Sequence, residues 1–344
     1  MDLLILGGTI FVGRHLIEAA IARGHQVTMF NRGRTATDLF PGVERLHGDR
    51  ETDLSALEGR RWDAVIDTCG YLPASVRASA RLLADAVDHY AFVSTVAVYA
   101  DFSKVGIVES DTLAQLPPDV KPEKTELTAE TYGPLKVLCE KAVEEFLPGR
   151  CLIARAGLIV GPHDPTDRFT YWVRRAARGG RMLAPGKPDR QVQFIDARDL
   201  AEWIVIMVES QRAGVFTCTG PDYRLTMGRM LEECKTAMRS DADLVWVADE
   251  FLIEEKVGPW NDLPLWLPEN NPQYAGFMSV SVNNAVRAGL KFRPPGETIR
   301  DTLEWDSRRT EPPQPYKVHG ITIPPGGISS EREQELLRRW DRRQ

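Results

Sequence analysis

Strand-like and helix-like segments alternate through the first half of the chain. The strand patterns lie at residues 3–6, 26–30, 44–49, 64–67, 90–94 and 151–154. The clearest helical periodicity between them lies at residues 16–22, 74–86 and 135–146. Short apolar strands separated by helices are typical of a parallel sheet that helices cover on both faces. The pattern therefore predicts an α/β fold built on a doubly wound parallel sheet.

The alternation weakens after residue 156, where proline and glycine separate further helical segments at residues 199–210 and 226–239. We predict three parts. Residues 1–156 form the sheet domain, residues 157–310 form a smaller lobe interleaved with it, and residues 311–344 form a linker and a C-terminal helix. The lobe is expected over the carboxyl ends of the strands, where open α/β sheets bind ligands.

The last predicted helix has its own start signal. Ser330 and Glu333 have the spacing of a capping box, in which each side chain binds the backbone of the other residue. Leu336, Leu337 and Trp340 follow on one side of the helix, and this stripe predicts a docking surface within or between subunits.

Composition narrows the class of protein. The chain has 344 residues, of which 43% are hydrophobic, and is long enough for a sizeable core. Its net charge of -6 is spread along the sequence, so neither a nucleic-acid partner nor a membrane surface is expected. The 5 cysteines are scattered without a Cys-x-x-Cys pair, which indicates reduced thiols and no metal site. No apolar run reaches membrane-spanning length and no signal peptide is evident, so we expect a cytoplasmic protein.

A glycine-rich turn joins the first predicted strand to the first predicted helix. It reads Gly7-Gly8-Thr9-Ile10-Phe11-Val12-Gly13. Gly7 allows a sharp turn, Gly8 lets backbone N–H groups approach a pyrophosphate, and Gly13 lets the helix pack close to the sheet. Because the turn lies within the first strand–helix unit, it predicts a dinucleotide site, the alternative being a purely structural turn.

The residues after the second strand bear on the choice of cofactor. An acidic residue there would bind the ribose 2′-hydroxyl of NAD, whereas arginine meets the 2′-phosphate of NADP. The sequence has Asn31, Arg32 and Arg34 and no carboxylate, so NADP is the expected cofactor and NAD the alternative. Two solvated loop arginines are the other interpretation. Further cofactor contacts are expected at the strand ends, at Asp49, Arg50, Thr68, Cys69, Gly70, Ser94, Ala156, Gly157 and Leu158.

Candidate catalytic groups follow the fifth strand. Tyr132 and Lys136 lie four residues apart on one face of a predicted helix start, and Thr95 ends the strand before them. Together with the glycine turn, these motifs resemble the extended short-chain dehydrogenase/reductase superfamily, in its epimerase/dehydratase-like branch. The resemblance implies a Rossmann fold.

The roles carry over by position. The resemblance implies that Thr95 donates a hydrogen bond to the substrate oxygen and that Tyr132 is the acid/base. It also implies that Lys136 binds the cofactor, which Tyr132 contacts too, and lowers the pKa of the tyrosine. The structural alternative is a core tyrosine with a surface lysine and a buried threonine.

Two departures from the superfamily pattern bear on function. Ile10 stands where the usual turn has glycine, as in an atypical subgroup of isoflavone-reductase-like proteins, sugar epimerases or dehydratases, and stem-loop RNA-binding proteins. Val192 and Leu158 stand where nucleotide-sugar epimerases have an arginine and an asparagine that bind the substrate. Arg190, Arg168 and Arg174 are the candidates to replace those contacts.

Three functions are compatible with these residues. We favour an NADP-dependent oxidoreductase that interconverts a carbonyl and an alcohol on a small metabolite. The first alternative is a nucleotide-sugar epimerase or dehydratase that retains NAD(P), and the second is a non-catalytic RNA-binding protein, which the acidic composition disfavours. A homodimer is compatible with the resemblance. The candidate substrate contacts, each alternatively a packing residue, are Tyr71, His163, Arg168, Trp172 and Gln193.

Overall fold

The computed structural model describes all residues from 1 to 344. The strands, in chain order, are β1 (Asp2–Leu6), β2 (Gln26–Asn31), β3 (Glu44–His47), β4 (Ala64–Asp67), β5 (His89–Thr95), β6 (Cys151–Ala156), β7 (Ile159–Val160), β8 (Arg181–Pro185), β9 (Ile195–Asp196), β10 (Gly214–Cys218), β11 (Asp243–Val247), β12 (Tyr316–Val318) and β13 (Ile321–Ile323). The α-helices are α1 (Phe11–Ala22), α2 (Pro73–Leu83), α3 (Ala129–Phe146), α4 (Arg168–Ala177), α5 (Ala197–Glu209), α6 (Met227–Met238), α7 (Asp249–Glu254), α8 (Asn283–Arg287), α9 (Pro295–Ser307) and α10 (Ser330–Asp341). None of these helices combines the length and apolar character needed to cross a membrane.

Seven parallel strands form the central sheet, in the order β10-β6-β5-β4-β1-β2-β3. The chain builds the sheet outward from β1 towards β3 and then returns to build the other half from β4. The direction therefore changes between β1 and β4, and ligands of doubly wound sheets bind at such a switch point. This order confirms the predicted doubly wound α/β fold.

Both faces of the sheet are covered because its strands carry apolar side chains on both sides. In β1, Leu3 and Ile5 join the core formed with α1 and α5, whereas Leu4 and Leu6 join the core formed with α2 and α3. All four are fully buried. Burial of a leucine or isoleucine side chain contributes roughly 2 kcal/mol, so this short strand is a strong anchor for both layers.

A third core lies in the smaller lobe and contains 28 buried residues, drawn mainly from α4, α6, α7, β8 and β11. The lobe and the sheet domain are interleaved along the chain. α5 packs on α1 and β10 pairs with β6, so both belong to the sheet domain although lobe elements precede and follow them in sequence. Leu336 and Leu337 of α10 are buried in the lobe core. The C-terminal stripe therefore docks within the chain.

The start of α10 differs from the predicted capping box. Ser329 is the N-cap, and its hydroxyl accepts a hydrogen bond from the Arg332 N–H at 3.2 Å. Glu333 does not reach back to the helix start. It is buried and accepts hydrogen bonds from Arg175, Arg178 and the backbone N–H of Leu183. Glu333, which the sequence predicts as part of a capping box, instead attaches α10 to the lobe.

The segment expected to be only an extended linker contains a β-hairpin. Strands β12 and β13 are antiparallel, with Tyr316 opposite Ile323 and Val318 opposite Ile321. Two residues join them, His319 and Gly320, and both have positive φ angles, 44° and 84°. This geometry is that of a type I′ turn, whose twist suits a two-residue hairpin connection.

Candidate active site

The turn between β1 and α1 has the backbone shape of a phosphate cradle. Gly7 and Gly8 have φ angles of 108° and 100°, a conformation that is strained for residues other than glycine. A Cβ atom on Gly13 would lie 2.6 Å from the backbone nitrogen of Gly8. Only glycine therefore lets α1 pack this closely against the turn.

The N-terminus of α1 is free to bind an anion. No side chain caps it, and the backbone N–H groups of a first helical turn carry partial positive charge. Ile10 has extended backbone, φ -125°, and its side chain is exposed, so it leaves the turn intact. Thr9, Phe11 and Val12 are half-buried beside it. The cradle and this helix end together fit the diphosphate of a dinucleotide.

The loop after β2 presents two arginines without ion-pair partners. Asn31 shapes the loop, because its side-chain oxygen accepts a hydrogen bond from Gly33 N at 2.8 Å. Its side-chain nitrogen also donates to the carbonyl of Gly7 at 3.3 Å. Arg32 and Arg34 are exposed, and neither forms a salt bridge in the structure. Both guanidinium groups are available to a phosphate near the cradle.

Arg50 was expected to bind the cofactor, and the structure corrects this. Its side chain is buried and donates to both carboxylate oxygens of Asp67, at 2.6 and 2.8 Å, and to the Ser79 hydroxyl at 2.8 Å. Asp67 also accepts from the Tyr90 hydroxyl at 2.8 Å and from the backbone N–H of Cys69 at 3.1 Å. Arg50 therefore stabilises the ends of the strands through these buried hydrogen bonds.

The other predicted cofactor residues lie along one edge of the sheet. They follow three parallel strands that are spread across the sheet and end on the same side of it: Asp49 after β3, Thr68, Cys69 and Gly70 after β4, and Ala156, Gly157 and Leu158 at the end of β6. Thr68 donates its hydroxyl to the carbonyl of Leu6, which fixes this loop beside the glycine turn. The edge is continuous with the phosphate cradle.

Helix α3 places Tyr132 at this edge. Thr128 caps the helix through a reciprocal pair of hydrogen bonds with Thr131, so Tyr132 lies just after the first turn. A Cβ atom on Gly133 would lie 2.1 Å from the carbonyl oxygen of Ala97, and the close approach brings α3 against the residues that follow β5. Tyr132 is thereby held next to Thr95.

Two opposed effects set the protonation of Tyr132. Burial raises the pKa of its phenol, and the neighbouring Thr95 hydroxyl lowers it in part, so the pKa remains above its ordinary value. The phenol is therefore protonated near neutral pH and is a proton donor.

Lys136 is directed into the sheet. Its Nζ atom donates to the carbonyl oxygens of Gly70, at 2.7 Å, and Val93, at 2.8 Å, and lies 4.0 Å from the centre of the Phe92 ring. Burial lowers the pKa of this lysine. Burial is the largest effect on the Tyr132 pKa, and the lowering of that pKa by Lys136 stays a prediction. An ammonium group has three donors, so one N–H of Lys136 is left for a ligand.

Ser94 was also expected at the cofactor, and its side chain lies elsewhere. It is buried and donates to Glu140 of α3 at 2.5 Å. Glu140 in turn accepts from the guanidinium of Arg155 at 2.8 Å. This buried network joins α3 to β5 and β6, and it positions the helix that carries Tyr132.

Two of the predicted substrate contacts are packing residues. The indole of Trp172 is fully buried in the lobe core and donates to the carbonyl of Pro264 at 2.8 Å. The side-chain amide of Gln193 is buried and pairs with both backbone groups of Val280, each at 3.0 Å. Both therefore stabilise the lobe and are withdrawn from any ligand.

The remaining predicted contacts have different surroundings. His163 lies next to α1, with Arg14 at 3.4 Å from its Nδ1, and burial lowers the pKa of its imidazole to about 4. Tyr71 follows β4, and the Lys136 ammonium lies 5.9 Å from its ring centre. Arg168, at the start of α4, stacks at 5.8 Å over Trp260 and forms no salt bridge.

The arginines that could replace the missing sugar-nucleotide contacts now separate into two groups. Arg190 is buried in an ion pair with Asp249 at 2.6 Å, and Arg174 is paired with Asp306 at 2.7 Å. Arg168 alone among the three has no acidic partner within salt-bridge distance. Val192 is fully buried in the lobe core.

Sequence reasoning missed a group of residues from the C-terminal hairpin. Tyr316 lies close enough to Tyr71 and Tyr132 to affect the pKa values of their phenols. His319 lies with its ring centre 5.0 Å from that of Tyr71 and its Nδ1 3.0 Å from a carboxylate oxygen of Glu51. The alternation of apolar and polar residues at 316–323 was the signal available for this strand pair.

Solved structures with the same fold bind NAD or nucleotide sugars. UDP-glucose 4-epimerase from Thermotoga maritima, with UDP-glucose, is 16% identical at a TM-score of 0.64, over 90% of this chain and 99% of that chain. UDP-glucuronic acid 4-epimerase from Bacillus cereus, with NAD, is 16% identical at 0.61, over 90% and 99%. UDP-N-acetylglucosamine 4-epimerase from Methanobrevibacter ruminantium M1, with UDP-N-acetylmuramic acid, is 18% identical at 0.64, over 89% and 98%. At these identities the likeness establishes the fold.

Comparison of this sequence with known proteins and protein families identifies the family of the chain. A search of curated proteins found no match. Residues 3–217 match the family described as NAD dependent epimerase/dehydratase family. That range includes the glycine turn, five of the seven central strands in full, nearly all of the other two, and Tyr132 with Lys136. The chain therefore belongs to the NAD dependent epimerase/dehydratase family of extended short-chain dehydrogenase/reductase enzymes.

Proposed function

We propose that this enzyme interconverts a carbonyl and an alcohol on a small metabolite, with NADP as the hydride carrier and Tyr132 as the proton donor or acceptor. The observation that carries the proposal is the position of the Tyr132 phenol beside Thr95, at the sheet edge that also holds the glycine cradle. Proton transfer by a positioned side chain contributes roughly 10²–10⁴-fold to a rate.

Each residue of the site has a separate task. A bound nicotinamide would itself accept or donate the hydride. The protonated phenol of Tyr132 gives its proton to the substrate oxygen in the direction of carbonyl reduction. Thr95 donates a second hydrogen bond to that oxygen and orients it. Lys136 ties α3 to the carbonyls of Gly70 and Val93, so the phenol is held in place before substrate arrives.

The protonation state of Tyr132 determines which proton transfer it can perform. A phenol that stays protonated at neutral pH is ready to donate, whereas oxidation of an alcohol needs the phenolate. The preference for NADP is supported by Arg32 and Arg34, since a guanidinium without an ion-pair partner can bind a 2′-phosphate through paired hydrogen bonds.

The experiment has two stages. Calorimetric titration of the purified protein with NADPH and NADH measures binding, and loss of NADPH absorbance with a panel of ketones and aldehydes measures turnover. Tyr132→Phe should lower kcat by at least about a hundredfold and change the NADPH Kd by less than about threefold, because only the proton is removed. Tyr223→Phe, in the lobe, is the matched control. Unchanged kcat in Tyr132→Phe would refute the mechanism.

Epimerisation of a nucleotide sugar with retained NAD(P) is the second candidate. It is favoured by the family match and by the three neighbouring structures, all titled as 4-epimerases of UDP-sugars. Val192 and Leu158 weigh against it, because a buried diphosphate without cationic partners is costly. If a diphosphate binds, Arg168 is the lobe arginine free to meet it.

Net redox change separates the two candidates. A reductase consumes one NADPH for each carbonyl reduced, whereas an epimerase converts UDP-sugars without net consumption of the cofactor. Incubation with UDP-glucose or UDP-N-acetylglucosamine, followed by product chromatography, tests the second candidate directly. Arg168→Ala should abolish that conversion if the arginine holds the diphosphate.

A further inference from the structure

The C-terminal hairpin has one apolar face that belongs to none of the hydrophobic cores. Tyr316, Val318, Ile321 and Ile323 are half-buried and share this face, while Lys317 and Thr322 point outward and are exposed. The four apolar residues are absent from all of the core clusters and from the residues packed against them. The hairpin is therefore not held by core packing.

The residues under this face come from the proposed dinucleotide site. Tyr316 is close enough to Tyr71, Cys69 and Arg32 for those groups to affect the pKa of its phenol. His319, at the tip, contacts Tyr71 and Glu51. These partners follow β2, β3 and β4, so the hairpin crosses the carboxyl edge of the sheet from the loop of Arg32 to the catalytic helix.

Both ends of the hairpin segment are attached to the lobe. On one side, Arg309 pairs with Asp167 at 2.8 Å. On the other, the backbone N–H groups of Gly326 and Gly327 donate to the carbonyls of Thr166, at 2.8 Å, and Asn261, at 2.9 Å. Glycine is needed at position 327, because a Cβ atom there would lie 2.0 Å from the Tyr171 ring.

The contacts with the sheet domain are of a different kind. The backbone hydrogen bonds of residues 316–323 stay within the hairpin, and none reaches the sheet domain. The hairpin meets that domain through side chains, at Tyr71 and Glu51. A segment fixed at its base and held at its tip by side chains can open without disturbing either core.

We propose that this hairpin is the outer wall of the dinucleotide site, and that Tyr316 and His319 hold a bound nicotinamide dinucleotide against the sheet and slow its release. The inference rests on the dinucleotide binding proposed above. Apolar and aromatic side chains on the inner face suit the rings and ribose of such a ligand, and the glycine cradle would hold its charged phosphates. Tyr316 would then line the site beside the catalytic Tyr132.

The first test measures the rate of NADPH release from the full-length protein by stopped-flow fluorescence, with excess NADP as the displacing ligand. Tyr316→Ala and His319→Asn should each raise the dissociation rate constant roughly three- to tenfold, the effect of losing one aromatic contact. Asparagine tolerates the positive φ of the turn, so the second variant keeps the hairpin. Thr322→Ala, on the exposed face, is the matched control and should release NADPH at the wild-type rate.

The second test uses trypsin cleavage after Lys317, an exposed residue of the hairpin, followed by mass spectrometry. Saturating NADPH should slow this cleavage severalfold in the wild-type protein. Faster cleavage with NADPH, or tighter NADPH binding by Tyr316→Ala, would show that the hairpin competes with the dinucleotide and would overturn the inference. Unchanged release rates in both variants would overturn it too. A wild-type protein that binds no dinucleotide would overturn the proposed function along with it.

Discussion

The ion pair between Arg50 and Asp67 allows a quantitative prediction for Arg50→Met. Both side chains are buried, Asp67 completely, and the two are joined by hydrogen bonds of 2.6 and 2.8 Å. Removing one partner of such a pair leaves a buried charge without compensation, at a cost of about 3–5 kcal/mol. Domains have total stabilities of only about 5–15 kcal/mol. We therefore expect a large decrease in the free energy of unfolding, measured by urea denaturation.

The decrease should depend on pH in a definite direction. In the wild-type protein burial alone would raise the pKa of Asp67, but Arg50 outweighs it and the pKa lies below its usual value. A lowered pKa stabilises the fold above the unfolded-state pKa of about 3.9, and this stability is lost as pH falls through the folded-state pKa. In Arg50→Met the uncompensated burial raises the pKa of Asp67. The difference between wild type and variant should therefore be largest near pH 7 and shrink towards pH 4.

A double variant supplies the control. Asp67→Asn in the Arg50→Met background removes the unpaired charge and keeps one acceptor oxygen for Tyr90 or Cys69, which donate to different oxygens of the carboxylate, so it should recover part of the loss. A loss below about 1 kcal/mol in Arg50→Met, together with weaker NADPH binding, would refute this reasoning. Arg50 would then act on the cofactor, as its position in the sequence first indicated.

Three further substitutions test the cradle, the cofactor choice and the lobe. Gly13→Ala should weaken NADPH binding at least tenfold by calorimetry, because its Cβ would meet the backbone of the turn, whereas Gly42→Ala, with open space around it, should have no effect. Arg32→Ala should weaken NADPH binding about tenfold and NADH binding less than twofold, and equal losses would contradict the 2′-phosphate assignment. Glu333→Gln should lower the free energy of unfolding by about 3 kcal/mol, against less than about 0.5 kcal/mol for the exposed Glu331→Gln, since only Glu333 is a buried charge.

Local sequence patterns were sufficient to predict the central sheet and the protein family. β1 is apolar on both faces, and the glycine turn has a fixed order of residues, so a single stretch of sequence contains the information for each. The family match confirms the resemblance to the extended dehydrogenase/reductase enzymes. In the structure the Thr95 side chain lies beside the Tyr132 phenol, and the catalytic roles of the two residues stay predictions.

The errors arose where the partner of a residue lies far along the chain. Arg50 follows a strand end in the expected place, but Asp67, on another strand, withdraws its side chain. Trp172 and Gln193 lie on segments near the site, and their partners Pro264 and Val280 turn them into the lobe. Spacing within one segment contains no information on such partners. The hairpin shows the same limit more clearly, because the residues that its apolar face covers belong to the sheet domain and lie far away in sequence.

The attachment of the C-terminal residues has a consequence for how the protein matures during synthesis. The strand and turn that form the cradle are made before the lobe, and the sheet domain can form while the chain is still growing. Leu336 and Leu337 complete the lobe core, and His319 meets Glu51, only after residues 316–337 have been made. A chain that stops before residue 316 would keep the glycine turn and Tyr132 but lack the hairpin and α10. Ribosome-bound or prematurely terminated chains should therefore expose the lobe core and be substrates for chaperones and proteases, even though their first domain is folded.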